Sequence, residues 1–369
     1  MNLWGSSAAG DPESDLLKLA LSDGRQVVGV VGLAKNCGKT TVLNGLIRAA
    51  KHAGIPVGVT SCGRDGEPVD AITGLPKPSV VVPAGAFVAM AESTVGQTAC
   101  SLEIVERLGV HTTAGEVVVA KPGVAGAVEI IGCNHASDLA KARDAMLALG
   151  ARLVLVDGAA GRAFHASPDV VDGLILSTGA ALDGDLQEVV SNTSRALLTL
   201  RLPLPPPRLA ELAAPVIRAG ETGIVRKSGL VDLFQRKTVL GHEAELCGMI
   251  RPGDLAYVTG KSVGDSLLRE IVRLARGQAT TVVASDPTRV TASQDAISEF
   301  EAGGGTLSVL GRAPVIAVTV NPASPWGRKF DPVSLILAVS GCPGAEGLKV
   351  FDVVAGLCAQ GGVLSEAQP

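Results

Sequence analysis

The sequence is poor in aromatic residues, with six Phe, two Trp and one Tyr among 369 residues. Its cores must therefore be built from aliphatic side chains, which suits parallel sheets covered by helices. The formal net charge of −4 gives no basic footprint for nucleic acid, and the few aromatic rings leave little for base stacking. We therefore expect no nucleic-acid partner.

The sequence also lacks the segments that direct a chain into or across a membrane. Its first residues, MNLWGSSAAGDPESDLL, contain neither a positively charged start nor an apolar stretch of the secretory type. No uncharged apolar run reaches the length that spans a bilayer. These absences predict a soluble, cytoplasmic protein with no membrane partner.

Several patterns typical of metal sites and hydrolases are missing as well. The seven cysteines are scattered and include no CxxC pair, which predicts buried, reduced thiols. The five histidines show no metal-ligand spacing, and no GxSxG element indicates a hydrolase nucleophile. No NKxD-type motif for reading guanine is found, which favours ATP over GTP as a ligand.

One segment, residues 26–41, carries a strong functional signal. It reads QVVGVVGLAKNCGKTT, an apolar run suited to a buried parallel strand, then a Gly-rich turn. In such a turn Gly38 lets backbone N–H groups approach a polyphosphate, Lys39 can reach its β and γ oxygens, and Thr40 offers a hydroxyl to Mg²⁺. The predicted nucleotide-binding residues are Gly32, Lys35, Asn36, Cys37, Gly38, Lys39, Thr40 and Thr41.

This loop departs from the usual spacing, because five residues rather than four separate Gly32 from Gly38. A Gly-rich turn that binds no nucleotide is the alternative interpretation. Lys35 lies inside the loop, where it could place a second cation on the phosphates, also across a homodimer. A surface lysine is the alternative there.

Two carboxylates and one amide follow other apolar runs. Asp157 ends LVLVD, on a strand expected beside the first one, and is expected to hold Mg²⁺ through water together with Thr40; a helix cap is the alternative. Asp65, in GRDGE, can orient a water molecule or bind Mg²⁺, or be a solvated turn residue. Asn321 can bind a ligand, although a simple turn is favoured. The predicted catalytic residues are thus Lys39 and Asp65, and the predicted metal ligands Thr40, Asp65 and Asp157.

The order of elements predicts an α/β fold, with a doubly wound, mostly parallel sheet and a second, smaller α/β domain. The Pro-rich stretch 201–208 is interpreted as the linker between a nucleotide-binding domain over 25–200 and a C-terminal domain over 209–369. Residues 1–24 are expected to form a flexible lead-in with a short helix. Ser101–Leu108 and Phe351–Cys358 are expected to be helical.

The motifs resemble those of P-loop NTPases. GLAKNCGKTT with VDGAAGR is similar to the class that contains dethiobiotin synthetase, MinD-like ATPases and the GTP-binding adaptors of molybdopterin cofactor synthesis. GLAKNxGKTTxLN, SxGRDGE, VDGAxxR, STGAAL and TVNPxSP, spanning residues 32–325, look like the P-loop reactivase found with cobalamin-dependent lysine aminomutases. This resemblance implies that Lys39, Thr40, Asp65 and Asp157 bind nucleotide and Mg²⁺. It also implies ATP-driven exchange of damaged cobalamin on a partner enzyme.

The sequence therefore predicts Mg²⁺-dependent ATP binding and slow hydrolysis that remodel a protein partner, an aminomutase or another cofactor enzyme. Two other functions stay open. One is a biosynthetic enzyme of the dethiobiotin synthetase type, in which ATP phosphorylates a carboxylate or carbamate. The other is a non-catalytic adaptor that binds nucleotide and barely turns it over.

Overall fold

The computed structural model describes residues 11–65, 78–158, 166–275 and 280–365, and the chain forms two compact units. The first unit combines Met1–Leu197 with Ala313–Pro369, and the second is Leu198–Arg312. The second unit is therefore an insertion in the sequence of the first.

Within the described residues, the part of the chain before the insertion contains helices separated by single strands and by runs of consecutive strands. The helices are α1 (Pro12–Leu21), α2 (Lys39–His52), α3 (Glu92–Val95), α4 (Ala136–Ala148) and α5 (Leu186–Leu200). The strands are β1 (Val27–Gly32), β2 (Val57–Cys62), β3 (Arg64–Asp65), β4 (Val80–Val82), β5 (Phe87–Ala91), β6 (Leu102–Thr112), β7 (Gly115–Pro122), β8 (Gly126–Val128), β9 (Ile130–Ile131), β10 (Leu153–Gly158) and β11 (Gly173–Gly179).

The remaining elements belong to the second unit and to the C-terminal return. The second unit contains α6 (Pro207–Arg218), β12 (Thr222–Val225), β13 (Val231–Leu233), α7 (Glu243–Cys247), β14 (Ala256–Thr259), α8 (Asp265–Ala275), β15 (Thr281–Ala284), α9 (Gln294–Ala302) and β16 (Thr306–Val309). The return contains β17 (Val315–Asn321), α10 (Pro332–Ser340), β18 (Lys349–Asp352), β19 (Leu357–Gln360) and β20 (Val363–Leu364). None of the described helices combines the length and the apolar character needed to cross a membrane.

The first unit is built on a large mixed sheet, which confirms the predicted α/β class. Its strand order is β20-β19-β18-β17-β11-β1-β10-β2-β5-β7-β6. The middle of the sheet, from β18 to β5, is parallel, and antiparallel strands complete both edges. β1 lies between β10 and β11, with Val30 opposite Asp157 and Gly32 opposite Ser177.

Aliphatic side chains fill the core of the first unit, as the scarcity of aromatic residues predicts. Val28 and Val30 of β1 are fully buried, as are Leu43, Leu46 and Ile47 of α2. The three α2 residues recur at helical spacing, so they present one apolar face to the sheet. This packing fixes the helix that starts directly after the Gly-rich turn.

The described part of the predicted lead-in begins at Asp11 and contains the short helix that the sequence predicts. The helix α1 begins after Asp11, whose side chain accepts a hydrogen bond from the N–H of Glu13. Leu16 and Leu17 are buried against the core. Glu13 forms an ion pair with Arg48 of α2. Burial of one apolar face and this ion pair hold α1 on α2, which a reading of local composition misses.

Two predicted helices are strands in the structure. Residues 102–112 form β6, in which exposed and partly buried positions alternate, and the strand pairs with β7. Residues 351–358 contain the last residues of β18, a turn and the first residues of β19. In both cases pairing with a neighbouring strand outweighs the local pattern.

The predicted domain boundary after the Pro-rich stretch is not the one that the structure has. β17 is paired with β11, so that Ser177 lies opposite Thr319 and Gly179 lies opposite Asn321. The last part of the predicted C-terminal domain, 209–369, therefore completes the first unit. Parallel strands need a long crossover connection, and here the connection contains the whole second unit.

The second unit has its own sheet and core. The strand order is β13-β12-β14-β15-β16, with β14, β15 and β16 parallel. Leu268 and Ile271 of α8 are buried with Tyr257 of β14 on one side of this sheet. Burial raises the pKa of Tyr257 to about 12. The unit is thus a smaller α/β body, as the sequence predicts.

Leu268→Ala should lower the free energy of unfolding of the second unit by about 2–5 kcal/mol, because it leaves a cavity at a fully buried position. Leu240→Ala is the matched control, since Leu240 is 77% exposed and its truncation should change stability by less than about 0.5 kcal/mol. Urea unfolding of both variants measures the difference. Equal costs would contradict the described core.

Candidate functional site

Four chemically distinctive positions lie at the carboxyl ends of adjacent parallel strands. Gly32 ends β1, Asp157 is the penultimate residue of β10, Gly179 ends β11 and Asn321 ends β17. These strands are consecutive neighbours in the order β17-β11-β1-β10. Because parallel neighbours place their carboxyl ends at one edge, the sheet brings together residues from distant parts of the sequence.

The Gly-rich turn between β1 and α2 contains two left-handed residues. Asn36 has a φ of 62° and Gly38 a φ of 93°, and α2 starts at Lys39. No side chain caps this helix N-terminus, and no acidic residue lies in its first turn. The free N–H groups and the helix dipole make the start of α2 favourable for an anion.

The turn folds back tightly over the end of β1. A methyl group at Gly32 would lie 2.6 Å from Sγ of Cys37 and 2.8 Å from Cδ of Lys39, which is too close for any side chain. The thiol of Cys37 is buried and donates a hydrogen bond to the carbonyl of Ala34, with 2.9 Å between Sγ and O. Cys37 therefore fixes the shape of the turn with its side chain.

Asn321, the last residue of β17, holds the Gly-rich turn in place through a hydrogen bond. Its Nδ2 donates to the carbonyl oxygen of Asn36 at 3.2 Å, and its Cβ would be 3.3 Å from a methyl group at Gly38. Its Oδ1 also accepts a hydrogen bond from the N–H of Ala323 at 3.1 Å. The residue is thus a turn residue, as the sequence favours, and in addition a support for the Gly-rich turn.

A cavity of about 300 Å³ opens at this place. Its lining residues are Asn36, Gly38, Lys39, Thr40, Thr41, Pro78, Asn321, Ala323, Ser324 and Pro325. It contains most of the predicted nucleotide-binding residues, whereas Gly32, Lys35 and Cys37 do not line it. Lys35 is exposed. Gly32 and Cys37 contribute to the shape of the turn through their close contacts within it.

The sequence interpretation missed four wall residues: Pro78, Ala323, Ser324 and Pro325. Three of them belong to the segment TVNPASP, whose similarity to a family motif was the available signal. Their distance along the chain from the Gly-rich turn hides the contact, because only strand pairing of β17 with β11 brings them near. Pro78 has no comparable signal in the sequence.

Asp157 occupies a fully buried position near the turn. Its backbone lies in β10, opposite Val30 of β1 on one side and Ser61 of β2 on the other. Thr40, in the first turn of α2, is also buried. Residues 159–162, which complete the motif VDGAAGR after Asp157, lie outside the described residues.

Asp65 follows β2 beyond the same edge of the sheet. Its backbone in β3 is paired with Ile130 of β9, and the N–H of Gly132 donates to the carbonyl of Gly63 at 2.7 Å. The next pair in this region is Cys62 with Cys133, both buried. The two-stranded sheet thus fixes the main chain at Asp65.

The cysteines of the chain are free thiols, and all but the partly exposed Cys358 are buried. Burial, with smaller contributions from Asp138 and Cys62, raises the pKa of Cys133 to about 12. The thiol therefore stays protonated at neutral pH, in keeping with the predicted buried, reduced thiols.

Within the described ranges, no group of three or more His, Cys, Asp or Glu side chains can hold a metal ion. A magnesium ion here would need ligands of another kind. A hydroxyl, one carboxylate, water and phosphate oxygens form a set that Mg²⁺ accepts. Thr40 and Asp157 are the protein members that fit such a set.

Comparison with known proteins adds no assignment: neither the protein-family models nor the curated proteins contain a match to this chain.

Gly179→Ala should destabilise the first unit by about 1–3 kcal/mol or more and should disturb the cavity. Gly179 has a φ of 148°, and an added Cβ would lie 2.0 Å from the carbonyl oxygen of Asn321. Gly123→Ala is the control, because that position has no atom within 4 Å of an added Cβ. Thermal unfolding compares the two variants, and equal stability would contradict the close approach of β11 and β17.

Proposed function

We propose that this protein binds ATP with Mg²⁺ at the cavity formed by the Gly-rich turn and hydrolyses it slowly. The observation that carries the proposal is the position of Lys39. It lies on a wall of the cavity at the uncapped start of a 14-residue helix, behind a turn closed by two left-handed residues. A cation, free backbone N–H groups and a helix dipole then act on the same small volume.

The fold supports this placement of the ligand. The chain runs from β1 to β2 on one side, then returns across β1 to β11 and β17 on the other. Ligands of doubly wound sheets bind outside the carboxyl ends of strands where the order reverses in this way. This topology supports our proposal that the first unit is a doubly wound P-loop fold.

The phosphate chain would be held by main-chain and side-chain donors together. The N–H groups at the start of α2 have no side-chain partner within the helix, and phosphate oxygens would satisfy them. Lys39 would place its ammonium on the β and γ oxygens and stabilise charge on the transferring phosphoryl group. The longer loop would be accommodated by the left-handed conformation of Asn36 and by its hydrogen bond from Asn321.

The residues present fit a magnesium ion beside the phosphates. Thr40 is in the first turn of α2, and Asp157 is the penultimate residue of β10, the strand next to β1, so a hydroxyl and a carboxylate flank the turn. Thr40 would bind the ion directly, and Asp157 would hold it through water. Bound Mg²⁺ supplies neutralisation of charge on the β and γ phosphates. Asp65, whose main chain is fixed beyond β2, is proposed to orient the attacking water.

We also propose that nucleotide binding is coupled to a partner protein, because the motifs resemble those of the P-loop reactivases. GLAKNxGKTTxLN and TVNPxSP contribute the turn and the clamping residue Asn321, which contact each other. Slow hydrolysis that remodels a cofactor enzyme, an aminomutase in particular, would account for a second α/β unit inserted into the nucleotide-binding one.

Lys39→Ala should weaken the binding of Mg·ATP at least tenfold, because it removes the only lysine among the described residues that line the cavity. Lys51→Ala is the matched control, since Lys51 is exposed in the last turn of the same helix and should leave the affinity unchanged. Isothermal titration calorimetry measures both. The proposal fails if the two variants bind Mg·ATP equally well.

Asp157→Asn should remove the dependence of nucleotide binding on magnesium while leaving the affinity for metal-free ATP almost unchanged. The substitution keeps the size of the buried side chain and removes the negative charge that would hold the hydrated ion. Titration of ATP with and without Mg²⁺ gives the comparison, with circular dichroism as the test of folding. A variant that responds to Mg²⁺ as the wild type does would exclude Asp157 from the metal site.

A further inference from the structure

Ala323, Ser324 and Pro325, which line the cavity, belong to a hydrogen-bonded hairpin of residues 322–330. Ala323 is paired with Lys329, and the N–H of Ser324 donates to the carbonyl of Arg328 at 2.9 Å. The N–H of Phe330 donates to the carbonyl of Pro322, also at 2.9 Å. These contacts give the segment a defined shape although it follows the end of β17.

The tip of this hairpin is a tight turn that presents an indole ring. The N–H of Gly327 donates to the carbonyl of Ser324 at 3.1 Å, which closes the turn around Pro325 and Trp326. The N–H of Trp326 also donates to Oγ of the buried Ser324, at 3.1 Å. Pro325 lines the cavity, and Trp326 follows it with 54% of its surface exposed.

A second contact braces the hairpin against the segment that follows β11. A methyl group at Gly184 would lie 3.2 Å from Cζ of Arg328, so the guanidinium packs on this glycine. The hairpin is thereby held between the end of β17 and the segment after β11. An aromatic ring on such a support loses little freedom when a flat ligand stacks on it.

The polarity of the cavity indicates which end of a nucleotide would reach the hairpin. The start of α2 and Lys39 attract the phosphates, whereas the hairpin lines the cavity with Ala323, Ser324 and Pro325, which have no charge. With the phosphates at α2, the nucleoside extends towards the tip at Pro325 and Trp326. Bases stack readily on exposed aromatic rings, and the π-face of every base permits this contact.

We propose that Trp326 is the platform on which the base of the bound nucleotide stacks. The inference rests on the proposed function, because it takes the phosphates to lie at Lys39. It adds a nucleobase subsite to the phosphate site. Asn321, at the end of β17, then holds the turn, and Trp326, in the hairpin that follows, contacts the base.

The chain offers a direct reporter for this contact, because its only tryptophans are Trp4 and Trp326. In the full-length Trp4→Phe variant the emission comes from Trp326 alone. Saturating Mg·ATP should quench this emission, whereas Mg·tripolyphosphate should bind without comparable quenching since it has no base. Calorimetry determines the affinity for each ligand in parallel.

Substitution of the ring separates the base from the phosphates. Trp326→Ala should weaken ATP binding at least tenfold and change tripolyphosphate binding by less than twofold, and Trp326→Phe should restore most of the ATP affinity. Unchanged ATP affinity in Trp326→Ala, or an equal loss for both ligands, overturns the stacking assignment while the phosphate site stands. A wild-type protein that binds neither ligand overturns the proposed function and the base subsite together.

Discussion

The candidate site depends on one contact between two ends of the first unit. Nδ2 of Asn321 donates to the carbonyl oxygen of Asn36, and these residues are 285 positions apart in the sequence. Asn36 and Gly38 are both left-handed, and the carbonyl of Asn36 takes its hydrogen bond from a donor outside the turn, in addition to the internal support from Cys37. That donor exists only because β17 pairs with β11 after the inserted unit.

The site is assembled from two parts of the first unit that are far apart in the sequence. The Gly-rich turn is encoded in the first 41 residues, but its clamp and one wall of the cavity come from residues 321–325. The cavity is therefore complete only when the C-terminal return has joined the sheet. Non-local pairing of this kind forms late, because the entropy of closing a long connection must be overcome first.

The parts of the molecule that local chemistry determines could be predicted from the sequence. The strand before the turn, the helix after it and the placement of Asp157 beside β1 follow from apolar runs and their spacing, and the structure has them in those places. The residues Lys39, Thr40 and Thr41 were also predicted together, and they share one cavity wall. For these residues the sequence distance is short, so local pattern and spatial position agree.

Features that depend on contacts between residues far apart in the sequence could not be predicted. A strand such as β17 carries the same apolar run whether it belongs to a second domain or returns to the first sheet. The packing of α1 on α2 includes the ion pair between Glu13 and Arg48 and the burial of Leu16 and Leu17, contacts that no local pattern reveals. The edge strand β6 has the spacing of a helix in part and becomes a strand through pairing with β7. The candidate roles of Pro325 and Trp326 depend on their position beside a cavity that residues from the N-terminal part of the sequence help to form, so the sequence near Trp326 does not indicate them.

A crystal structure of the protein with Mg²⁺ and a non-hydrolysable ATP analogue tests the central claim most directly. The account predicts that the β and γ phosphates lie within hydrogen-bonding distance of the main-chain N–H groups around Gly38 and of Nζ of Lys39, with the metal ion on the side of Thr40 and Asp157. An analogue bound elsewhere, or this cavity filled by protein side chains at saturating ligand, would contradict it.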